Sequence, residues 1–243
     1  MKVAVISDIH GNPQAFDNFL KIMDEEGIEK IICLGDIIGI GPHPDECVKR
    51  IIKLGKRLIC CVRGNHEDRF LFGIPEFIHD NKRRMTEEEI IQENWVKNQI
   101  SEESRSFISS LNQEELIEID GIKIQVMHYP SSENMEYKRF NYHPTMEDCQ
   151  TLFEKYSADV MLFGHTHTDF INHKYDTWYI NPGSLGTTSY RSYSTFGILN
   201  IENGHISYEQ RPNLFDLNSF IKEVNAVRYP RFDIMKKLFY GER

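Results

Sequence analysis

The chain has 243 residues, 40% of them hydrophobic and 27% charged, and its 28 basic and 37 acidic residues leave a formal net charge of −9. That apolar content fills a core and excludes a disordered chain, and the length favours one large domain over two. No basic excess exists to neutralise duplex nucleic acid; a small phosphorylated substrate stays compatible, because bound divalent cations set the local field.

The first third of the chain alternates short apolar runs with helical periods. Residues 2–7 predict a buried strand, 12–26 an amphipathic helix ended by Gly27, and 30–34 a second strand. Residues 44–54 predict a second helix closed by Gly55, and 57–62 a third strand. This is the pattern of βαβ units in a mostly parallel sheet, hence an α/β fold. Residues 68–118 depart from it: they are charged and helix-favouring, with EEEIIQENWVKNQI and SFISSLNQEEL as expected helices, so the stretch is expected to be a helical insert. It either borders a site or packs peripherally. A strand at 122–128, a helix at 145–156 and a strand at 159–165 follow. DTWYINP, STFGILNIE and HISYEQR then predict meandering strands of a second sheet, and Asp216 to Tyr240 a helical tail broken at Pro230. The expected organisation is one domain over 1–243, with a C-terminal helical extension at about 214–243.

The five cysteines, Cys33, Cys47, Cys60, Cys61 and Cys149, contain no C-x-x-C pair, and three of them lie inside apolar runs. Buried thiols in a reducing compartment are the expectation. The apolar run after Lys2 meets Asp8 too early for a signal peptide, and no run approaches the roughly 20 residues that span a bilayer. A cytoplasmic protein without membrane contact is therefore expected, and the sequence names no protein partner.

The polar residues that bind metals fall at strand ends. Asp8 and His10 follow the first strand, Gly35-Asp36 the second, and Gly64-Asn65-His66-Glu67 the third. His128 ends a fourth strand, and Gly164-His165-Thr166-His167 a fifth. Ligands of an open α/β sheet bind outside the carboxyl ends of its strands, and packing gives no reason for this placement. Carboxylate with imidazole suits first-row divalent metals. One bridging aspartate with nitrogen donors on either side permits two ions about 3.5–4 Å apart, which activate water and clamp a phosphoryl group. Gly35, Gly64 and Gly164 allow the sharp turns required. Taken singly, Asp8 also reads as a helix cap and Asn65 as a turn residue.

The ordered set D-x-H, G-D, G-N-H-E, a lone histidine and G-H-T-H resembles the calcineurin-like metallophosphoesterase superfamily. Asn181-Pro182-Gly183-Ser184-Leu185-Gly186 is similar to a segment of its small bacterial and archaeal phosphodiesterase branch. The resemblance implies a two-sheet α/β/β/α sandwich with a helical insertion. It implies that Asp8, His10 and His167 hold one metal, that Asn65, His128 and His165 hold the other, and that Asp36 bridges them. Manganese is the foremost ion, with iron, nickel, cobalt and zinc compatible. The implied reaction is hydrolysis of a small phosphodiester by a metal-bridging hydroxide, with Asp36 and His66 as catalytic residues and His66 as general acid.

Three substrate contacts are candidates. Asn12 reads equally as a phosphate contact and as a helix N-cap before Pro13. Arg63 reads equally as a phosphate contact and as a solvated strand-end arginine. Where the branch often has Gln-Pro-Arg this chain has Thr187-Thr188-Ser189-Tyr190-Arg191, and Arg191 is the candidate to replace that basic residue. His43 is a weaker candidate, and His79, His143, His173 and His205 have no motif around them. Trp95 and Trp178 read as core or interface aromatics. A dinucleoside polyphosphate such as diadenosine tetraphosphate is the alternative substrate. Protein Ser/Thr phosphatase activity ranks lower, because Ile37-Ile38 follow Asp36 where those enzymes have Arg-Gly. A non-catalytic scaffold also ranks lower, because all eight expected site residues are present.

Overall fold

The computed structural model describes residues 1–75, 77–78 (backbone), 83–132, 136–188 and 192–241. Arg191 and His79 lie outside the described residues. The strand β1 (Lys2–Ile6) leads through a loop to α1 (Pro13–Glu26), which begins on a proline and ends at left-handed Gly27. Then come β2 (Ile31–Cys33), α2 (Pro44–Leu54) and β3 (Leu58–Cys61). The next stretch holds α3 (Asn65–Phe72), the short β4 (Phe77–Ile78) and β5 (Arg83–Arg84), α4 (Glu87–Gln99) and α5 (Glu102–Ser110). It continues as β6 (Glu114–Ile119), β7 (Ile122–Met127), α6 (Met146–Leu152), β8 (Val160–Leu162), β9 (Asp169–Lys174) and β10 (Thr177–Pro182). Strands β11 (Ser194–Glu202) and β12 (His205–Asn213) and helices α7 (Leu217–Ala226) and α8 (Phe232–Phe239) complete it.

Two mixed five-stranded sheets result, in the orders β12-β11-β1-β2-β3 and β6-β7-β8-β10-β9. In the first, β1, β2 and β3 run parallel; in the second, β7, β8 and β10 do. Along β1, Val3 and Val5 enter the core between the sheets with Ile124, Val126, Val160 and Leu162, while Ala4 and Ile6 turn to the helix layer. That two-residue alternation is what a strand covered on both faces requires. On the outer side of the first sheet, Phe16, Phe19 and Met23 of α1 are fully buried, each contributing about 1.5–3 kcal/mol by burial. On the outer side of the second, Cys149 and Phe153 pack on Met127, Met161 and Phe163. The layers are therefore helix, sheet, sheet and helix.

Three sequence expectations need correction. SFISSLNQEEL is helical only to Ser110, and Glu114–Ile119 is an edge strand paired antiparallel with β7. Cross-strand pairing overrides the helix propensity of glutamate and leucine here, and Asp120-Gly121, both at positive φ, make the hairpin turn. The late strands also do not form one sheet. DTWYINP joins the second sheet, whereas STFGILNIE and HISYEQR extend the first through β1–β11 pairing. The helix expected at 145–156 is regular only over Met146–Leu152. Among the described residues, no helix is long and apolar enough to cross a membrane, and the five cysteines are unpaired.

Candidate metal centre

The loops that follow β1, β2, β3, β7 and β8 bring Asp8, His10, Asp36, Asn65, His128, His165 and His167 together. Among the described residues three overlapping groups form, Asp8–His10–His167, Asp36–His128–His165 and His10–Asp36–His66, each with its donor atoms within 4.8 Å of one another. In the first, His10 Nε2 lies 2.9 Å from His167 Nε2, and Asp8 Oδ1 lies 3.4 Å and 3.2 Å from those nitrogens. In the second, His128 Nε2 lies 3.1 Å from His165 Nδ1 and 3.2 Å from both Asn65 Oδ1 and Asp36 Oδ2. Asp36 Oδ2 is also 4.0 Å from His10 Nε2, so this carboxylate stands between the first two groups.

The far side of each ring fixes what the near side can do. His10 Nδ1 lies 3.1 Å from Ile38 O and His128 Nδ1 2.9 Å from Leu34 O. A carbonyl only accepts, so in the neutral rings Nδ1 carries the hydrogen and Nε2 turns a lone pair into the cluster. Lone pairs and carboxylates aimed at one another call for a cation between them. Asp8 Oδ1 is buried and has no hydrogen-bond partner among the described residues, as an oxygen reserved for a metal would be. With nitrogen and oxygen donors and no thiolate, the residues fit a pair of divalent ions. Without ions, the carboxylates stay charged and favour a proton on His128 instead. Burial opposes charge on His128, but Asp36 and Asp8 raise it to about 10. Burial would raise both aspartates; His167 and His128 hold Asp8 low, and His128 and His66 hold Asp36 low. Metal binding would release that proton.

The backbone is strained where the donors sit. Asp8, His10, Asp36, His165 and His167 have φ of 55°, 48°, 50°, 70° and 57°, a left-handed conformation costly for residues with a Cβ. Several groups hold them there. Ser7 Oγ donates to Asp8 Oδ2 at 2.6 Å and His165 N–H at 3.0 Å. The Asn181–Gly186 segment supports the same loops: Ser184 Oγ donates to Asp8 O, and Asn181 Nδ2 to Gly164 O, each at 2.8 Å. Gly164 is required by a close approach, since a Cβ there would overlap Ser7 Oγ.

Sequence reasoning gave no role to several residues that build this site. Glu67, fully buried, accepts backbone N–H bonds from Asp36, Ile37, Ile38 and Gly64 at 2.8–3.1 Å and so clamps the β2 loop to α3. Burial and the Asp36 charge raise it to about 7, and the Gly64 and Ile38 N–H groups pull it back. Its place directly after His66 was the available signal. Thr187 Oγ1 sits 3.2 Å from His167 Nδ1. Glu93, on α4, lies 3.2 Å from His66 Nδ1 and accepts from Arg69 at 2.8 Å. Burial disfavours the charged His66 ring, but Glu93 and Asp36 outweigh it and raise its pKa. No local pattern in the sequence links Glu93 to His66.

The substrate candidates fare differently. Asn12 is a helix N-cap: its Oδ1 accepts from Ala15 N–H at 3.0 Å and its Nδ2 donates to Gly186 O at 2.8 Å, with the residue fully buried. Arg63 is turned to α3 and α5, bonding Asp68 Oδ1 at 2.6 Å and Leu111 O at 2.7 Å, and does not line the cavity over the centre. His43 Nε2 lies 3.0 Å from Glu223 Oε1, and His43 is likewise outside that lining. The cavity has a volume of about 710 Å³; Asp36, Asn65, His66, His165 and His167 lie at its metal end, and α4 and α8 line its other walls.

The pattern of the calcineurin-like phosphoesterase superfamily domain matches residues 1–204. The chain belongs to this superfamily. Like its family, this phosphoesterase is a metal-dependent hydrolase, and the superfamily implies divalent metal ions. It is 30% identical over 199 residues to an uncharacterized protein of Methanocaldococcus jannaschii, covering 76% of each chain. It is 22% identical over 210 residues to the phosphodiesterase YfcE of Escherichia coli, covering 82% of this chain and 87% of the relative. In fold it is similar to a hypothetical protein of Pyrococcus horikoshii, with TM-score 0.81, 18% identity and coverage of 100% and 99%. A metallophosphoesterase of Sphaerobacter thermophilus has TM-score 0.72, with 19% identity and 98% of each chain covered. The phosphoesterase also shares its fold with an archaeal phosphodiesterase, at TM-score 0.51 and 21% identity, covering 87% of this chain and 99% of that one.

Proposed function

We propose that this phosphoesterase hydrolyses a small phosphodiester. The observation that carries the reading is the set of facing donors, with His10 and His167 nitrogens 2.9 Å apart and a buried Asp8 Oδ1 that accepts no hydrogen bond among the described residues, at the end of an open cavity. Asp8, His10 and His167 would hold one ion, Asn65, His128 and His165 the other, with Asp36 bridging. Manganese is the ion we assign first, and iron, nickel, cobalt and zinc suit the same donors. The pair, when bound, supplies a nucleophile at neutral pH and neutralises the phosphoryl oxygens. His66 is the general acid of this reading. Its ring packs edge-on at 5.3 Å from that of His10, and its Nδ1 faces Glu93, which leaves Nε2 for the departing oxygen. The phosphodiesterase activity named for the Escherichia coli relative supports the substrate class, and four buried cysteines out of five suit a cytoplasmic setting.

The test is hydrolysis of bis-p-nitrophenyl phosphate alongside metal content in Asp36→Asn and His165→Ala proteins. Both should fall together, and undiminished hydrolysis in either contradicts the reading. A dinucleoside polyphosphate is the second reading, favoured by a cavity of about 710 Å³ that exceeds the needs of a small diester. Diadenosine tetraphosphate compared with bis-p-nitrophenyl phosphate at one manganese load separates the two.

A further inference from the structure

Helix α8 puts Met235, Leu238 and Phe239 along the cavity at three- and four-residue spacing, which places them on one face. Phe239 reaches the metal centre itself, its ring centroid 5.4 Å from that of His167. The helix is held in that position from both sides. Thr188 N–H donates to Phe239 O at 3.0 Å, and Tyr240 is buried against Phe220 and Phe232. Core packing does not account for all of this face, because Leu238 stays 52% exposed and Tyr142, which lines the same cavity with Met85, stays 55% exposed. Large apolar groups left open beside a charged centre mark a place where a ligand supplies the missing contacts. Thr188 Oγ1 adds a polar point: it is buried, lines the cavity and has no hydrogen-bond partner among the described residues.

We propose that the cavity face of α8, with Met85 and Tyr142, is a subsite for a planar ring esterified to the phosphate, with Thr188 Oγ1 bonding the ring's polar edge or its linker. The proposal rests on the phosphodiester reading and narrows it to substrates carrying a nucleobase or another aryl group. The alternative use of this end of the cavity, a long phosphate chain, meets arginines already committed. Arg83 bonds Glu89 through both guanidinium nitrogens at 2.8 and 2.9 Å, and Arg231 lies 3.6 Å from the same carboxylate.

The test is calorimetric binding of phenylphosphonate and methylphosphonate, neither of which is hydrolysed, to manganese-loaded protein. The ring should tighten binding by about tenfold, the gain for one modest apolar contact. A Leu238→Ala/Tyr142→Ala protein should lose most of that gap while binding methylphosphonate unchanged. Equal binding of the two ligands by the unaltered protein, or a gap that survives in the double variant, overturns the subsite. Adenosine 5′-monophosphate separates the sources: binding tighter than phenylphosphonate marks a nucleobase, and weaker binding marks a smaller aryl group. An intact ring gap in a protein that hydrolyses no phosphodiester would remove the diester reading and leave the subsite standing.

Discussion

On the metal side of the cavity, Asp8, His10, Asp36, His165 and His167 all hold left-handed backbone, and their loops are buried and cross-braced by Ser7, Glu67, Asn181 and Ser184. On the helical side, Met235, Leu238 and Phe239 sit on a regular turn of α8 with ordinary dihedral angles, and Leu238 is open to solvent. Each strained residue costs of order 1–3 kcal/mol, which the surrounding fold must offset. The first side should tolerate almost no change, because a displaced loop moves a donor; on the second, Leu238 can change without disturbing the core, whereas Met235 is packed into it. Under the proposed reading, strain and burial fix the chemistry, and the cavity face of α8 tunes selectivity.

The largest effect should come from breaking the strained side at its centre. Asp36→Asn removes the charge between both donor groups and should lower hydrolysis by more than the roughly 10–100-fold that changes beyond the ligands produce, with metal loss measured by elemental analysis. Gly39 tests how closely the acid is fitted. It has φ 119°, and an added Cβ would come 2.6 Å from His66 Cγ. Gly39→Ala should therefore cut kcat by about 100-fold, at the lower end of what a misplaced group costs, while metal content holds. Normal kcat in that variant would remove His66 from the reaction. Thr187→Val leaves His167 without its hydroxyl neighbour and should weaken metal binding about tenfold, read by titration against a chelator.

The smallest effect separates structural from functional arginine. Arg63→Ala should cost about 1 kcal/mol of stability through lost bonds to Asp68 and Leu111, measured by denaturant unfolding, with KM unchanged. A rise in KM of tenfold or more would restore Arg63 as a phosphate contact.

The same contrast explains what was legible in the sequence. The seven donors could be read because each sits at or just after a strand end, six of them in short motifs and His128 alone, and the superfamily order ties them together. Local propensity could not show that those residues take left-handed φ, since that conformation favours glycine and the sequence has aspartate and histidine there. The βαβ start was legible because Val3, Val5, Phe16 and Phe19 follow the two periods faithfully. Strand β6 was not, because Glu114, Glu115 and Leu116 favour a helix and only the Asp120-Gly121 turn signalled a hairpin. Glu93 and α8 were opaque for a different reason: their positions at the cavity depend on tertiary contacts such as Tyr229 Oη donating to Gly39 O at 2.6 Å, which no local pattern encodes.

The central claim, that the strand-end donors form one two-ion centre, is tested most directly by manganese titration followed by electron paramagnetic resonance. Two ions per chain should bind, with an exchange-coupled spectrum that appears with the second equivalent. A single ion per chain with an uncoupled six-line spectrum, persisting at excess manganese, would contradict it.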